Sequence, residues 1–286
     1  MGEKNLTLLK NFEIYMKSNL IHVCFIIDKS GSMFSSKEDV VGGFNKTIEE
    51  QRAVKDGECV VSLFTFNDNV KQVFLGRKLD EIKPLTCDVE PRFYGLCNTV
   101  QTVVTTSWDG TKNMLNQSSV SEYKSKENDY NYSPEGLTAM NDGIGTAIDK
   151  IGVWLAAMPE EERPSKNLIV IMTDGCENAS KEYTLKRVKE MIQHQTEVYN
   201  WSFVYMGTDV TTVETAENLG INMRSFSSKR SDDTYENYSN ISKAATAYRC
   251  SDDIVMASAT MDCCLTENLK KMTKSYEDSL GFKIEK

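Results

Sequence analysis

Between residues 20 and 207 the chain alternates short apolar runs with segments whose apolar positions recur at helical spacing. The run "LIHVCFII" at 20–27 is unbroken, as in a strand buried on both faces of a parallel sheet. Residues 36–55 follow with Val40, Val41, Phe44 and Ile48 on one helical face, despite Gly42 and Gly43. "ECVVSLFTFND" and "VKQVF" read as paired strands turning at Asn67, Asp68 and Asn69. A helix over 141–157, capped by Asn141 or Asp142, leads to the buried strand "NLIVIMTDG". Then come a helix over 181–195, the strand "VYNWSFVYMG", a short helix over 210–219, a last strand at 221–227 and a last helix over 234–249. Repeated strand-then-helix order predicts an α/β fold: a doubly wound, Rossmann-like, mostly parallel sheet with helices on both faces.

Residues 87–131 break this rhythm. The β-branched run at 99–106, followed by "WDGTK", suggests a hairpin, and "NQSSVSEYKSKENDYNY" a polar loop. An insertion of this length in a compact domain is usually functional or disordered. The reading divides the chain into an N-terminal arm at 1–19, a main domain at 20–250 carrying the insertion, and a helical tail at 251–286.

Charge and cysteine usage narrow the function classes. Against 33 Lys and Arg stand 42 Asp and Glu, a formal charge of -9, which argues against nucleic acid as a partner. No stretch has the apolar length of a membrane span, and the first twenty residues lack the apolar core of a secretory signal, so a cytoplasmic protein without a membrane partner is expected. Eight cysteines occur without a C-x-x-C pair, so free thiols are expected, with Cys87 and Cys97 close only if a hairpin joins them. His22 reads as a packing residue and His194 lies at a helix end. Neither serves a Ser-His-acid triad, and G-x-S-x-G and Walker motifs are absent.

Three separated pieces carry the chemistry: "DKSGS" at 28–32, "GLTAMND" at 136–142 and "MTDGCEN" at 172–178. Each falls where a strand ends or a helix begins, so a doubly wound sheet brings all three to one edge. They contribute Asp28, Ser30, Ser32, Thr138 and Asp174, an all-oxygen set suited to Mg²⁺, Mn²⁺ or Ca²⁺ rather than to zinc or copper. Gly31 and Gly175 fit sharp turns beside an ion. Lys29 and Glu177 read as rim charges, Asp142 as a helix cap and Asn178 as the cap of the next helix.

Asp-x-Ser-x-Ser, a distant Gly-x-Thr loop and Thr-Asp-Gly after an apolar strand resemble the metal ion-dependent adhesion site of the von Willebrand factor type A (VWA) domain family, which includes integrin I domains. The three motifs occur in that family's order over residues 20–250, and their wording is most similar to free-standing intracellular members from bacteria and their viruses. The resemblance implies Mg²⁺ or Mn²⁺, ahead of Ca²⁺, held directly by the hydroxyls of Ser30 and Ser32 and by Thr138 directly or through water. Asp28 and Asp174 would hold coordinated waters or exchange with them. An ion so held stays electrophilic, so a partner protein's Asp or Glu carboxylate completes its shell. The expected function is therefore a metal-dependent protein-binding module, not an enzyme. Two alternatives stand beside it: an assembly protein that keeps the fold without using the site, and a Mg²⁺-dependent phosphatase or phosphotransferase with Asp28 as nucleophile. The insertion is expected to lie beside the metal, with Phe93, Tyr94, Trp108, Tyr130 and Tyr132 as candidate partner anchors, some of them expected only to pack the insertion onto the sheet. Oligomeric state is not legible.

Overall fold

The computed structural model describes residues 17–87, 105–106, 112–113, 130–207, 211–221 and 231–251. A five-stranded sheet is formed by β1 (Lys17–Asp28), β2 (Glu58–Phe66), β3 (Val70–Lys78), β6 (Pro164–Thr173) and β7 (Ser202–Gly207) in the order β3-β2-β1-β6-β7. Only β3 runs antiparallel, because the tight turn at 67–69 returns it beside β2; the other neighbours are parallel. The first strand begins at Lys17, inside the segment expected to be an arm.

Helices α1 (Lys37–Ala53), α2 (Met140–Ala156), α3 (Leu185–Tyr199), α4 (Thr211–Asn218) and α5 (Ser231–Cys250) cover both faces. The alternation of β1 sorts them. Ile21, Val23, Phe25 and Ile27 share one core with α1 and α5, while Cys24 and Ile26 share the other with α2, α3 and α4. The α/β architecture implied by the sequence is the one observed. Gly43 has a packing reason: a Cβ there would lie 2.0 Å from the ring of Tyr238 on α5, whereas a Cβ on Gly42 would meet nothing. At the far end, buried Arg249 donates to the carbonyls of Gln51 and Gly57, and buried Lys166 to those of Tyr248 and Ser251, tying α5 to the sheet.

Within the insertion, β4 (Thr105–Thr106) pairs antiparallel with β5 (Lys112–Asn113), as a hairpin there requires. Its two roots are held together by a bridge between Thr86 and Asn131. One expectation about it is settled at two residues. Tyr130 and Tyr132 are buried in the core rather than displayed as anchors; Tyr130 stacks on Phe74 and accepts a hydrogen bond from Arg77. Phe93, Tyr94, Trp108 and Cys97 lie outside the described residues, as do the arm before Lys17, most of the 221–227 strand and the tail after Ser251.

Candidate functional site

β1 and β6 are parallel neighbours with Ile27 opposite Met172, so Asp28 and Thr173 reach the carboxyl edge of the sheet side by side. Asp28 is fully buried there. Its Oδ1 accepts the Ser30 backbone N–H at 2.7 Å and its Oδ2 accepts the Thr173 hydroxyl at 2.6 Å. Burial pushes the Asp28 pKa up; the bonds from Thr173 and Ser30 oppose this, and the charge of Asp174 reinforces it.

Ser30 precedes the short 3₁₀ helix Gly31–Ser36, yet its side chain makes no capping bond. Its hydroxyl lies 3.0 Å from that of Ser32, which donates to Asp174 Oδ1 at 2.5 Å. Thr138 joins the same place: a Cβ built on Gly175 would lie 3.1 Å from Thr138 Oγ1 and 3.4 Å from Ser32 Oγ. All five candidate residues therefore gather at one edge. Neither Gly31 nor Gly175 has positive φ; Gly175 is small because two hydroxyls crowd it, and the left-handed glycine at this edge is Gly136, at φ 77°.

A web of backbone bonds holds the loops in register. Tyr132 donates its hydroxyl to the Asp28 carbonyl at 2.5 Å, Glu135 N–H to the Lys29 carbonyl, and Gly31 N–H to the Gly136 carbonyl. Leu137 N–H bonds Asp68 Oδ2 and Ala139 N–H the Asn67 carbonyl, so the β2–β3 turn supports the Thr138 loop.

Three sequence-level roles are corrected here. Glu177 is not a solvated rim charge: its carboxylate accepts the N–H groups of Ala179, Ser180 and Asn141 and the Ser180 hydroxyl, at 2.7–3.0 Å. It thereby satisfies a first-turn donor of α2, where the N-cap position is Ala139, without side-chain capping. Asp142 does not cap its own helix; it accepts the N–H groups of Lys181, Glu182 and Tyr183 across the gap. Asn178 accepts the Thr138 N–H and donates its own N–H to the Thr138 carbonyl, while Thr184 caps α3. Together these side chains clamp residues 174–184 onto the Thr138 loop. Glu177 accepts four hydrogen bonds and Asp142 three, so both carboxylates are engaged in holding backbone.

His22 lies deep between Asn167 and Ser62, 3.0 and 2.8 Å away, six residues and so about 20 Å along β1 from Asp28. Burial lowers its pKa to about 4, with the Asn167 bond opposing. It packs, as expected. Among the described residues no group of three or more His, Cys, Asp or Glu side chains is arranged to hold a metal, so an ion at this edge would depend on hydroxyl ligands.

No protein-family model matches the chain, and no curated protein matches it. Solved structures do. Proximal thread matrix protein 1 from the mussel byssus is 13% identical with a TM-score of 0.48, over 80% of this chain and 46% of that one. A von Willebrand factor type A structure from Catenulispora acidiphila is 13% identical with a TM-score of 0.44, over 80% and 43%. Manganese-loaded TRAP protein of Plasmodium vivax is 14% identical with a TM-score of 0.41, over 76% and 71%. The chain spans less than half the length of the first two. At these identities and TM-scores the likenesses bear on neither metal nor partner, and the α/β fold stands on the strand order itself.

Proposed function

We propose that this chain is a VWA-type, metal-dependent protein-binding module, working in the cytoplasm and using Mg²⁺ or Mn²⁺ at the Asp28, Ser30, Ser32, Thr138 and Asp174 edge. The observation that carries it is the convergence of three hydroxyls and two carboxylates from three loops. Bonds of 2.0–2.1 Å at right angles give an octahedral Mg²⁺ site an edge of about 2.9 Å. The Ser30 and Ser32 hydroxyls stand 3.0 Å apart. Ser30, Ser32 and Thr138 would hold the ion, with Asp28 and Asp174 orienting its waters; the ion supplies an electrophilic position for a partner's carboxylate.

A binding role is favoured over catalysis because both oxygens of Asp28 already accept hydrogen bonds and His22, the buried histidine of β1, lies far from this edge. Cys24, Cys59, Cys87, Cys176 and Cys250 are free thiols, which suits a reducing compartment, and among the described residues no helix is long and apolar enough to cross a membrane.

The test is Mg²⁺ and Mn²⁺ calorimetry on the wild type against Ser32→Ala and Asp174→Asn. Asp28→Ala is a poor probe, because that carboxylate is buried and bonded to two neighbours. Loss of affinity of about ten-fold or more in both folded variants supports the site. Unchanged affinity rejects it.

A further inference from the structure

Two large apolar side chains stand exposed within two residues of candidate metal ligands. Phe34, two residues after Ser32, is 57% exposed; Leu137, next to Thr138, is 53% exposed. The Gly31 N–H to Gly136 carbonyl bond at 3.0 Å holds their loops side by side. Both loops are bound to the scaffold behind them, through buried Met33 on one side and the Asp68 carboxylate on the other. Neither side chain is needed for the core.

The charges around them are balanced. Asp68 and Glu135 are exposed, Lys29 is a neighbouring cation in sequence, and Lys37 Nζ stands 4.4 Å from the centroid of the Phe34 ring, leaving the other side of that ring to a partner. Such a rim offers no net attraction to a segment carrying several carboxylates, whereas the ion draws and neutralises one. Apolar flanks, by contrast, gain from covering Phe34 and Leu137.

We infer that the partner segment presents a single carboxylate flanked by apolar side chains, the carboxylate at the ion and the flanks on Phe34 and Leu137. This rests on the metal-dependent binding role proposed above and names the partner's chemistry.

Four dye-labelled, end-capped pentapeptides test it by fluorescence anisotropy with Mg²⁺ or with EDTA: a central aspartate between leucines, between serines or between glutamates, and an asparagine between leucines. The leucine-flanked aspartate binds tightest, ahead of the serine-flanked one by about ten-fold. In the double variant Phe34→Ser, Leu137→Ser this preference disappears while the serine-flanked affinity stays. Metal-dependent binding that ignores the flanks, that favours glutamate flanks, or that keeps the leucine preference in the double variant overturns the inference alone. Leucine-peptide binding that survives both EDTA and the asparagine replacement overturns the metal reading beneath it. Failure of every peptide to bind at millimolar concentration overturns the inference, and calorimetric Mg²⁺ affinity then decides the metal site separately.

Discussion

Replacing Asp142 by alanine should cost more than any exposed loop carboxylate ordinarily does. Asp142 is 8% exposed and receives three backbone N–H groups from the facing segment, at 2.7 Å from Lys181, 2.9 Å from Glu182 and 2.8 Å from Tyr183. A hydrogen bond to a charged group contributes roughly 1.5–3 kcal/mol. The three do not add in full, because Lys181 and Glu182 are exposed and water replaces part of what they lose. The net loss is about 3 kcal/mol, which lowers Tm by roughly 6–12 °C in a domain of this size. Glu177 and Asn178 still hold residues 177–180 against the Thr138 loop, so Mg²⁺ affinity falls by less than about ten-fold. Tyr183→Phe is the control, since it removes only an exposed bond to Asp149 and should cost less than about 1 kcal/mol. Urea denaturation of the three proteins measures both values. A loss below about 1 kcal/mol for Asp142→Ala would show that the bonds it accepts from Lys181, Glu182 and Tyr183 do not stabilise the fold.

Adjacent glycines in α1 should respond oppositely in thermal melts: Gly42→Ala stabilises by about 0.5–1 kcal/mol, while Gly43→Ala destabilises because its Cβ meets the Tyr238 ring. Equal shifts of one sign would refute the close α1–α5 approach. His22 has its pKa lowered from 6.5 to about 4, so the folded state keeps it neutral while the unfolded state takes up a proton below 6.5. Its contribution is fully present above about 6.5, is lost as pH falls and levels off below about 4; between pH 7 and pH 5 it removes about 2 kcal/mol, and His22→Gln should flatten that slope in urea titrations. Replacing residues 88–129 by a short Gly/Ser linker should keep stability within about 1 kcal/mol and Mg²⁺ affinity within a few-fold, because Thr86 and Asn131 already hold the roots together. Unfolding of that variant would show that the insertion supports the core.

The sheet was legible because strands buried on both faces must be apolar throughout, so "LIHVCFII" and "NLIVIMTDG" announce themselves and the polar residues ending them mark the functional edge. The clamp was not. Glu177 and Asp142 bond almost entirely to backbone N–H groups, which every residue carries and only tertiary structure places. A weak local signal existed in Glu177 with Ser180 three residues on, a spacing at which one carboxylate can accept both the backbone N–H and the hydroxyl of the later residue. Which of the insertion's aromatics pack and which are displayed was not legible, because aromatics in a polar stretch look alike; Tyr130 and Tyr132 pack. Their period of two, with Asn131 less buried between them, is the strand-like pattern that the bridge to Thr86 realises.

Residues 130–139 show how a long insertion and a precise site share one edge. Tyr130 is fixed on Phe74 and Arg77, Tyr132 on Asp28, Glu135 on Lys29, Gly136 on Gly31, Leu137 on Asp68 and Ala139 on Asn67. Thr138 is therefore delivered by a stretch bonded at nearly every step, not by a free end returning from the insertion. Any change of length between Thr86 and Asn131 is absorbed before the chain reaches that stretch. The Tyr132 hydroxyl, bonded to the carbonyl of Asp28, is the point at which insertion root and site meet. Strain arriving at the root meets that bond first, and the bonds at Glu135, Gly136 and Leu137 stand between it and Thr138.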